Sequence, residues 1–376
     1  MGVQPLAHDP GEYVTFPSGG EFTVGVEEEL ILVDEGGRLA DRASAGLVER
    51  VRAATSTEAG TVARELFAAM IEFATPVCTN AEQIAPRLAT MRSSLLAAGG
   101  HAVAAGVHPA APFGDATLSP TARYTSIGRS LAGVLRTPTA ALQVHVGLPD
   151  ERAAICAYRG LRPWLPVLQA LAANSPFWHG RDSGMASARW AVVSSYPRTG
   201  VPPVVTSWEQ YLALTRDVVS AAQVPDYTHL WWDARLQPRY GTIEVRVMDS
   251  QPSMAVIAGL TALVQGIVRH LVEWPVDAAD VPGAVLAENS FRTARHGLDT
   301  RIVDTDGSLR PVRSLAQEAV ARARVALQED GLDAPLEEVT RLLSEPPEYR
   351  RQRNLHQDSG LGPLVADLMA RTARGA

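Results

Sequence analysis

The chain has 376 residues with 34 basic and 41 acidic side chains, and its formal net charge is −7. This length allows a large hydrophobic core, and the acidic balance without a block of basic residues excludes the electrostatic pattern of a nucleic-acid-binding protein. All 34 basic residues are arginines. A GxxxxGK[ST] phosphate loop, a kinase-type lysine and a Schiff-base lysine are therefore excluded, and any phosphate must be bound by arginines, backbone N–H groups or metal ions.

The lack of a recognisable targeting signal and the small number of cysteines favour a cytoplasmic protein. The N-terminal segment MGVQPLAHDPGEY lacks the basic and apolar regions of a secretory signal, and no apolar run is expected to approach the roughly 20 residues of a membrane span. We expect a cytoplasmic protein that binds neither nucleic acid nor membrane, with a homo-oligomer left open. Cys78 and Cys156 are too few for a zinc cluster or a disulfide framework, and we interpret them as buried structural thiols.

The first strong pattern is FTVGVEEELILVD at residues 22–34, which predicts a β-strand. Helices are expected at residues 43–53 and 80–98, the second with Asn80 as its N-cap, and a short strand MIEFATPV at residues 70–77 lies between them. Residues 102–136 have little periodicity and contain several prolines, which indicates a long functional loop.

Strands and helices are also both predicted in the rest of the chain. They are a strand at 140–147, a helix from the Asp150 cap to about Ala173, a loop at 174–190, a helix at 207–219 capped by Ser207, and an alternating strand at 240–248. After Met254 the pattern is almost wholly helical. Because strands concentrate in 22–249 and helices in 254–376, without a repeat or a linker, the sequence predicts one α+β domain over residues 1–376.

Carboxylates in the first predicted strand point to both of its faces. Side chains alternate along a strand, so Glu27 and Glu29 of GVEEEL share one face and Glu28 lies on the other. Two carboxylates on one face repel each other unless a cation lies between them, and a hard divalent ion such as Mg²⁺ supplies that charge. A solvent-facing edge strand whose acids prevent aggregation is an equally good interpretation of this motif alone.

The strand TIEVRVMD combines an acid with an arginine. Alternation is expected to place Glu244 and Arg246 on one face with Thr242 and Met248, opposite Ile243, Val245, Val247 and Asp249. An acid two residues from an arginine suits a site where the carboxylate binds metal and the guanidinium binds phosphate or carboxylate. A structural ion pair is the alternative.

Two further segments place polar groups inside apolar runs. Gln143 and His145 share one face of LQVHVG, although a lone histidine is more often structural than a ligand. Glu72 lies in the middle of MIEFATPV, where an unpaired charge is costly, and Glu65 precedes it by seven residues. Four strands with such groups favour one shared polar cleft over four independent surface features.

These motifs together resemble one known family. GVEEEL, EFATPVC, QVHVG, NSPFWHG followed by the tripeptide Ser187–Arg189, and WWDARLQPRYGTIEVRVMD occur in the order seen in the carboxylate-amine ligases, also called type 2 glutamate–cysteine ligases. The resemblance covers about residues 22–249 and continues less tightly to the C-terminal helices. It implies an α+β fold with a curved, mainly antiparallel sheet surrounded by helices, related to the glutamine synthetase catalytic domain.

The resemblance also implies an activity. Members of the family use ATP to phosphorylate a carboxylate, and an amine then attacks the acyl phosphate. We therefore expect small-molecule partners, namely glutamate or a similar carboxylate and an amine or amino acid, with ATP and Mg²⁺, or alternatively Mn²⁺, as cofactors. Clustered carboxylates around Mg²⁺, with arginine in place of lysine, suit phosphoryl transfer, because that reaction needs mainly positioning and neutralisation of charge.

Roles for individual residues are implied by the same resemblance. Metal coordination is implied for Glu27, Glu29, Glu72 and Glu244, with Glu65 as a further ligand. Catalytic roles are implied for Glu244, for Arg246 as the group that stabilises transferred phosphate, and for Gln143, which stands where some relatives have a histidine. Contacts with substrate or nucleotide are implied for His145, Asn174, Arg189, Trp232, Asp233 and Arg235.

Three questions stay open at this point. A guanidino-type phosphotransferase is one alternative, since a related sheet supports that chemistry, and a non-catalytic nucleotide-binding relative is another. The family name suggests cysteine as the acceptor, but nothing in the sequence visibly forms a thiol pocket, so the acceptor amine is undecided.

Overall fold

The structure of the protein is a computed structural model that describes residues 15–40, 46–275 and 280–375. The expectation that the N-terminal segment is not a secretory signal, and the first residues of the helix expected at 43–53, lie outside these ranges.

Strands and helices are mixed over the first two-thirds of the described chain. The strands are β1 (Val24–Val33), β2 (Thr61–Arg64), β3 (Met70–Ala74), β4 (His101–Val103), β5 (Ala141–Gly147), β6 (Phe177–Trp178), β7 (Arg181–Asp182), β8 (Thr199–Gly200), β9 (Trp231–Trp232), β10 (Ala234–Gln237), β11 (Thr242–Asp249), β12 (Arg301–Val303) and β13 (Leu309–Pro311). The helices are α1 (Leu47–Ala54), α2 (Ile84–Ala97), α3 (Ala122–Leu131), α4 (Glu151–Leu161), α5 (Leu165–Leu171), α6 (Ala188–Val193), α7 (Trp208–Ala222), α8 (Met254–Glu273), α9 (Gly283–His296), α10 (Val312–Leu327), α11 (Leu336–Ser344), α12 (Glu348–Ser359) and α13 (Leu361–Arg374).

One seven-stranded sheet organises the molecule. Its strand order is β10-β11-β5-β1-β3-β2, with β4 paired to the end of β1, and every pairing in it is antiparallel. Helices flank this sheet, so the predicted fold class, an α+β protein with a mainly antiparallel sheet surrounded by helices, is confirmed.

The two faces of the sheet differ because apolar and polar side chains alternate along the central strands. Val26 and Leu30 of β1 belong to the largest hydrophobic core, together with Val144 of β5 and residues of α2, α4, α8 and α10. The side chains between them, including Glu27 and Gln143, project to the opposite face. The core face therefore holds the fold together, and the opposite face is free to carry a polar site.

A β-bulge corrects the predicted orientation at the end of β11. Val245 pairs with Val144 but Met248 pairs with Leu142, so Arg246 and Val247 together lie opposite the single residue between those partners. The expectation that Met248 shares a face with Glu244 is therefore wrong, since Met248 is fully buried in the core. Asp249 instead leaves that core and accepts hydrogen bonds from polar groups of residues 174–187.

Helix α8 corrects a second expectation. Its 20 residues are long and apolar enough to cross a membrane by length and composition, so the statement that no apolar run approaches this length was wrong. Most of that apolar stretch, 83%, is buried inside the protein, where α8 packs against α4, α10 and α11. We interpret α8 as the central helix of the core, because its apolar surface is already covered by protein.

Most predicted elements are present, with altered ends. Asp150 and Ser207 cap α4 and α7 as predicted, each by accepting a backbone N–H hydrogen bond. The long helix expected up to Ala173 is divided into α4, a 3₁₀ turn that contains Pro163, and α5. Asn80 caps a 3₁₀ turn that precedes α2.

Several short elements were not predicted. Helix α3 lies inside the segment expected to be a loop, and α6 begins inside the loop expected at 174–190. One hydrophobic cluster contains residues from Phe16 to Val339. The single domain stays a prediction, which this continuous cluster supports.

Candidate active site

Five carboxylates and one histidine converge on the open face of the sheet in two groups. In each group the side chains offer ligand atoms that lie within 4.8 Å of one another. The first group is Glu29, Glu65 and Glu72, and the second is Glu27, His145 and Glu244. Register explains this convergence, because Glu29 lies directly opposite Glu72, and His145 lies directly opposite Glu244.

The first group, which we call the acid triplet (Glu29, Glu65 and Glu72), has little to balance its charge. Burial, reinforced by the neighbouring Glu65, raises the pKa of Glu29 to about 7. Burial and then repulsion from Glu27, Glu65 and Glu29 raise the pKa of Glu72 well above its ordinary value. Within the described residues, no hydrogen-bond donor contacts the Glu72 carboxylate. Such a group is costly to keep ionised unless a cation binds it.

The second group is already largely neutralised. Burial works to raise the pKa of Glu244, but Arg235 and Arg246 outweigh it and hold that pKa well below its usual range. Burial likewise works to lower the pKa of His145, but its pairing with Glu27, at 3.4 Å between His145 Nε2 and Glu27 Oε1, leaves the pKa raised. This group therefore needs a bound cation less than the acid triplet does.

Arg246 connects the two groups. Its guanidinium donates to the Glu244 carboxylate and to the side-chain oxygen of Gln143. Gln143 in turn donates from Nε2 to Glu29 at 2.6 Å, and Arg235 and Gln237 hold the far side of Glu244 at 2.9 Å and 2.6 Å. The bulge in β11 makes this chain of contacts possible, because it aims Arg246 at Gln143 on the neighbouring strand.

A cavity of about 250 Å³ covers this face of the sheet. Its polar side is lined by Glu27, Glu29, Glu65, Glu72, Gln143, Arg189, Asp233, Arg235 and Arg246. Its apolar side is formed mainly by Phe67, Met70, Ile127, Leu131, Trp190 and Trp231. The cavity therefore offers a charged floor for anions and cations, and an apolar wall for a less polar group.

Eleven of the thirteen residues predicted from the sequence meet in or beside this cavity. His145 and Glu244 lie just behind its floor, in contact with Glu27 and Arg246 respectively. Arg189 enters from α6 and donates to the backbone carbonyls of Arg246 and Val247, at 3.0 Å and 3.4 Å. The acid triplet includes Glu65, whose direction was undecided in the sequence.

Asn174 and Trp232 are placed elsewhere. Asn174 is fully buried, and its side-chain amide donates to the carbonyls of Ala104 and Ser250 and accepts from Gln352. Trp232 belongs to the core, with its ring near that of Tyr211. The predicted substrate contacts of these two residues do not fit this geometry, because neither side chain lines the cavity.

Trp231 is the residue that the sequence reasoning missed at this position. It lines the cavity, as do Asp233 and Arg235, whereas Trp232, Ala234 and Leu236 belong to the core. The same alternation is visible in WWDARL and was a signal that could have found Trp231. Arg123, Tyr124 and Trp190 also line the cavity, and they were missed because they lie on or beside the unpredicted helices α3 and α6.

The antiparallel sheet and its flanking helices define the fold of the protein, which is the glutamine synthetase-like fold. A solved structure described as glutamate–cysteine ligase from Francisella tularensis in complex with AMP matches with a TM-score of 0.71. That match covers 95% of this chain and 89% of the other, at 11% sequence identity, so it shows the fold alone.

Sequence comparison identifies the family. The model of glutamate–cysteine ligase family 2 matches residues 23–366. A relative from Rubrobacter xylanophilus, provisionally assigned as glutamate–cysteine ligase 2-3, is 34% identical over 94% of this chain and 98% of its own. A protein named glutamate–cysteine ligase from Haloferax volcanii is 33% identical over 92% of this chain and 96% of its own. The chain belongs to glutamate–cysteine ligase family 2, and it is an ATP-dependent ligase that forms an amide bond.

Proposed function

We propose that the protein transfers the terminal phosphate of ATP to the γ-carboxylate of glutamate and joins the resulting acyl phosphate to an amine, forming a γ-glutamyl amide. The observation that carries this proposal is Arg246 between two groups of carboxylates on one sheet face. The names of the relatives support glutamate as the donor and make cysteine the first acceptor to test.

The acid triplet fits Mg²⁺ better than any other part of the cavity. Its donors are carboxylate oxygens, which Mg²⁺ prefers, and they lie close enough to share one ion. Their raised pKa values and mutual repulsion are what a missing counter-charge produces. Bound Mg²⁺ would neutralise the phosphate oxygens of ATP as charge develops there. Glu27 and Glu244 would extend this site, and Mn²⁺ suits a second position because His145 adds a nitrogen donor.

Phosphoryl transfer assigns tasks to this chain's own side chains. The Arg246 guanidinium would stabilise the negative charge of the phosphoryl group during its transfer. A hydrogen bond to Gln143 keeps the guanidinium in position. Arg235 pairs with the same Glu244 carboxylate, so the charge of Glu244 is shared between two guanidinium groups and does not neutralise Arg246 alone. No enzyme nucleophile is needed, because activation by phosphate makes the carboxylate oxygen a good leaving group.

The experiment is incubation of the protein with ATP, Mg²⁺, glutamate and a pool of amino acids and amines that contains cysteine. Mass spectrometry should find a γ-glutamyl amide, and ADP and phosphate should appear in equal amounts with it. Glu72→Gln should reduce the rate of product formation about 100-fold or more. Glu82→Gln is a matched control, since Glu82 lies in the 3₁₀ turn before α2 and is not part of the cavity.

The same assay separates the alternatives that the sequence left open. A stable phosphorylated product without an amide would indicate a guanidino-type phosphotransferase. Binding of ATP without turnover over the whole amine pool would indicate a relative that has lost catalysis. We also propose that the enzyme acts on small molecules in the cytoplasm.

A further inference from the structure

Asp233 is held firmly at the wall of the cavity. It lies between β9 and β10, where its backbone N–H donates to the carbonyl of Gly200 and its carbonyl accepts from the N–H of Arg246, both at 2.9 Å. The alternation of β10 directs its side chain to the same face as Arg235, and both line the cavity. The backbone contacts therefore fix the backbone of Asp233 at the cavity wall, from which its carboxylate faces the cavity.

The Asp233 carboxylate is unlike the others in the cavity. Its Oδ2 atom is buried and has no hydrogen-bond partner within the described residues. The other carboxylates belong to the two groups around Arg246, whereas Asp233 belongs to neither. Burial raises the pKa of Asp233 to about 6, with Arg189 and Arg246 acting in the opposite direction. An unpartnered carboxylate of this kind lacks a hydrogen-bond donor that a ligand can supply.

The chemistry of amide formation requires such a group. An amine acceptor reaches the enzyme mainly as an ammonium, which has no lone pair for attack on the acyl phosphate. One N–H proton must first move to a base, and the base must lie in the cavity that holds the activated carboxylate. The carboxylates of the acid triplet cannot serve while they bind a cation.

We infer that Asp233 binds the ammonium group of the acceptor amine and accepts the proton that this nitrogen must lose before it attacks. The amine lone pair then forms the C–N bond, the bond between the acyl carbon and the phosphate oxygen breaks, and phosphate leaves with that electron pair. The nitrogen loses its second N–H proton to the departing phosphate as the amide forms, and Asp233 then releases its own proton to water. This inference rests on the proposed ligase function and adds to it the group that selects and activates the acceptor.

Hydroxylamine provides a test that separates this role from the rest of the reaction. It is largely uncharged at neutral pH and attacks acyl phosphates without help from a base, giving a hydroxamate that forms a coloured ferric complex. Wild-type protein with ATP, Mg²⁺ and glutamate should therefore give hydroxamate from hydroxylamine. It should also give an amide from at least one of three ammonium-form acceptors, namely cysteine, 2-aminobutyrate and ammonium chloride.

The Asp233→Asn variant should lose amide formation by roughly 100-fold or more, while hydroxamate formation changes by less than about fivefold. Retained hydroxamate formation shows at once that the variant is folded, binds ATP and glutamate, and activates the carboxylate. Asp150→Asn is the matched control, because Asn is as good an N-cap as Asp, and both reactions should stay at the wild-type rate.

Three results would overturn the inference. Equal losses of both products in Asp233→Asn would assign Asp233 a structural role or a contact with glutamate, and the second of these would also raise the KM for glutamate. Unchanged amide formation would exclude Asp233 as the base. Wild-type protein that makes hydroxamate but no amide from any of the three acceptors would show that the cavity has no base for an ammonium. Failure to make hydroxamate at all would instead contradict the proposed function.

Discussion

Glu28 and Glu29 are neighbours in β1 and lie on opposite faces of the sheet, and only the carboxylate of Glu28 contacts a positively charged side chain among the described residues. Glu28 points into the core, where the guanidinium of Arg92 contacts both of its oxygens and also donates to the carbonyls of Gln251, Pro252 and Thr372. Glu29 points to the cavity, where the described residues offer it only neutral donors, the side chain of Gln143 and the N–H of Ala141.

The difference shows how one strand serves both stability and chemistry. On the core face a carboxylate is buried together with its counter-charge, because an unpaired charge there would destabilise the fold. On the cavity face no basic side chain of the described residues forms an ion pair with the acid triplet, so these acids are available to an ion from solution. Four changes test this contrast, and they are given in order of decreasing effect.

The largest effect is expected on the core face. Arg92→Met should lower the free energy of unfolding by about 3–5 kcal/mol, because it leaves the fully buried Glu28 without a counter-charge. Urea denaturation measures this loss. The double variant Glu28→Gln/Arg92→Met should recover part of it, and a double variant no more stable than Arg92→Met would contradict the ion-pair explanation.

On the cavity face, removing a charge from the acid triplet should reduce activity without reducing stability. Glu72→Gln should reduce the rate of γ-glutamyl amide formation about 100-fold or more, since loss of a metal ligand removes several kcal/mol of charge stabilisation. Its stability without added metal should equal or exceed that of the wild type, because the substitution removes a repelled carboxylate. A variant that is both inactive and less stable would mean that Glu72 supports the fold.

Stability of the metal-free protein should depend on pH through the acid triplet. The pKa of Glu29 rises from 4.5 to about 7 on folding, so its protonated form stabilises the folded state below pH 4.5. That contribution, about 1–3 kcal/mol, should disappear as the pH rises from 4.5 to 7. Thermal unfolding of wild type and Glu29→Gln over this range measures it.

With added Mg²⁺, the stability of the protein should increase between pH 4.5 and 7. The carboxylates that bind Mg²⁺ must be deprotonated, so Mg²⁺ binds more strongly as the pH rises. If Mg²⁺ stabilised wild type and Glu29→Gln equally at pH 7, Glu29 would not be a ligand of the ion.

The smallest effect is expected for an exposed pair. Arg64 contacts Glu49 at 2.8 Å on the surface, and Arg64→Ala should change the free energy of unfolding by less than about 1 kcal/mol. The same urea experiment checks this value beside Arg92→Met. Similar losses in the two variants would show that burial does not distinguish the two ion pairs.

The sequence was sufficient for much of the fold and the site wherever short-range periodicity decides the structure. Alternation in GVEEEL, LQVHVG and TIEVRV placed Glu27, Glu29, Gln143, His145, Glu244 and Arg246 on one side of their strands, and the structure agrees. The failures lie where partners distant in sequence decide. Met248 turned to the core because of a bulge against β5, and Asn174 was drawn into a buried network with Gln352.

The resemblance of the sequence to a known family implied a ligase. By itself the pattern of residues determined an α+β protein with acidic strands and with arginines in place of lysines. These properties follow from residue type and from the period-two alternation of strands, which act over a few residues. Only the tertiary structure decided which acids meet, that Glu65 joins Glu29 and Glu72, and that Oδ2 of Asp233 has no hydrogen-bond partner in the part of the chain that the structure describes. Those outcomes depend on strand register and on packing between residues far apart in the chain, which local pattern does not encode.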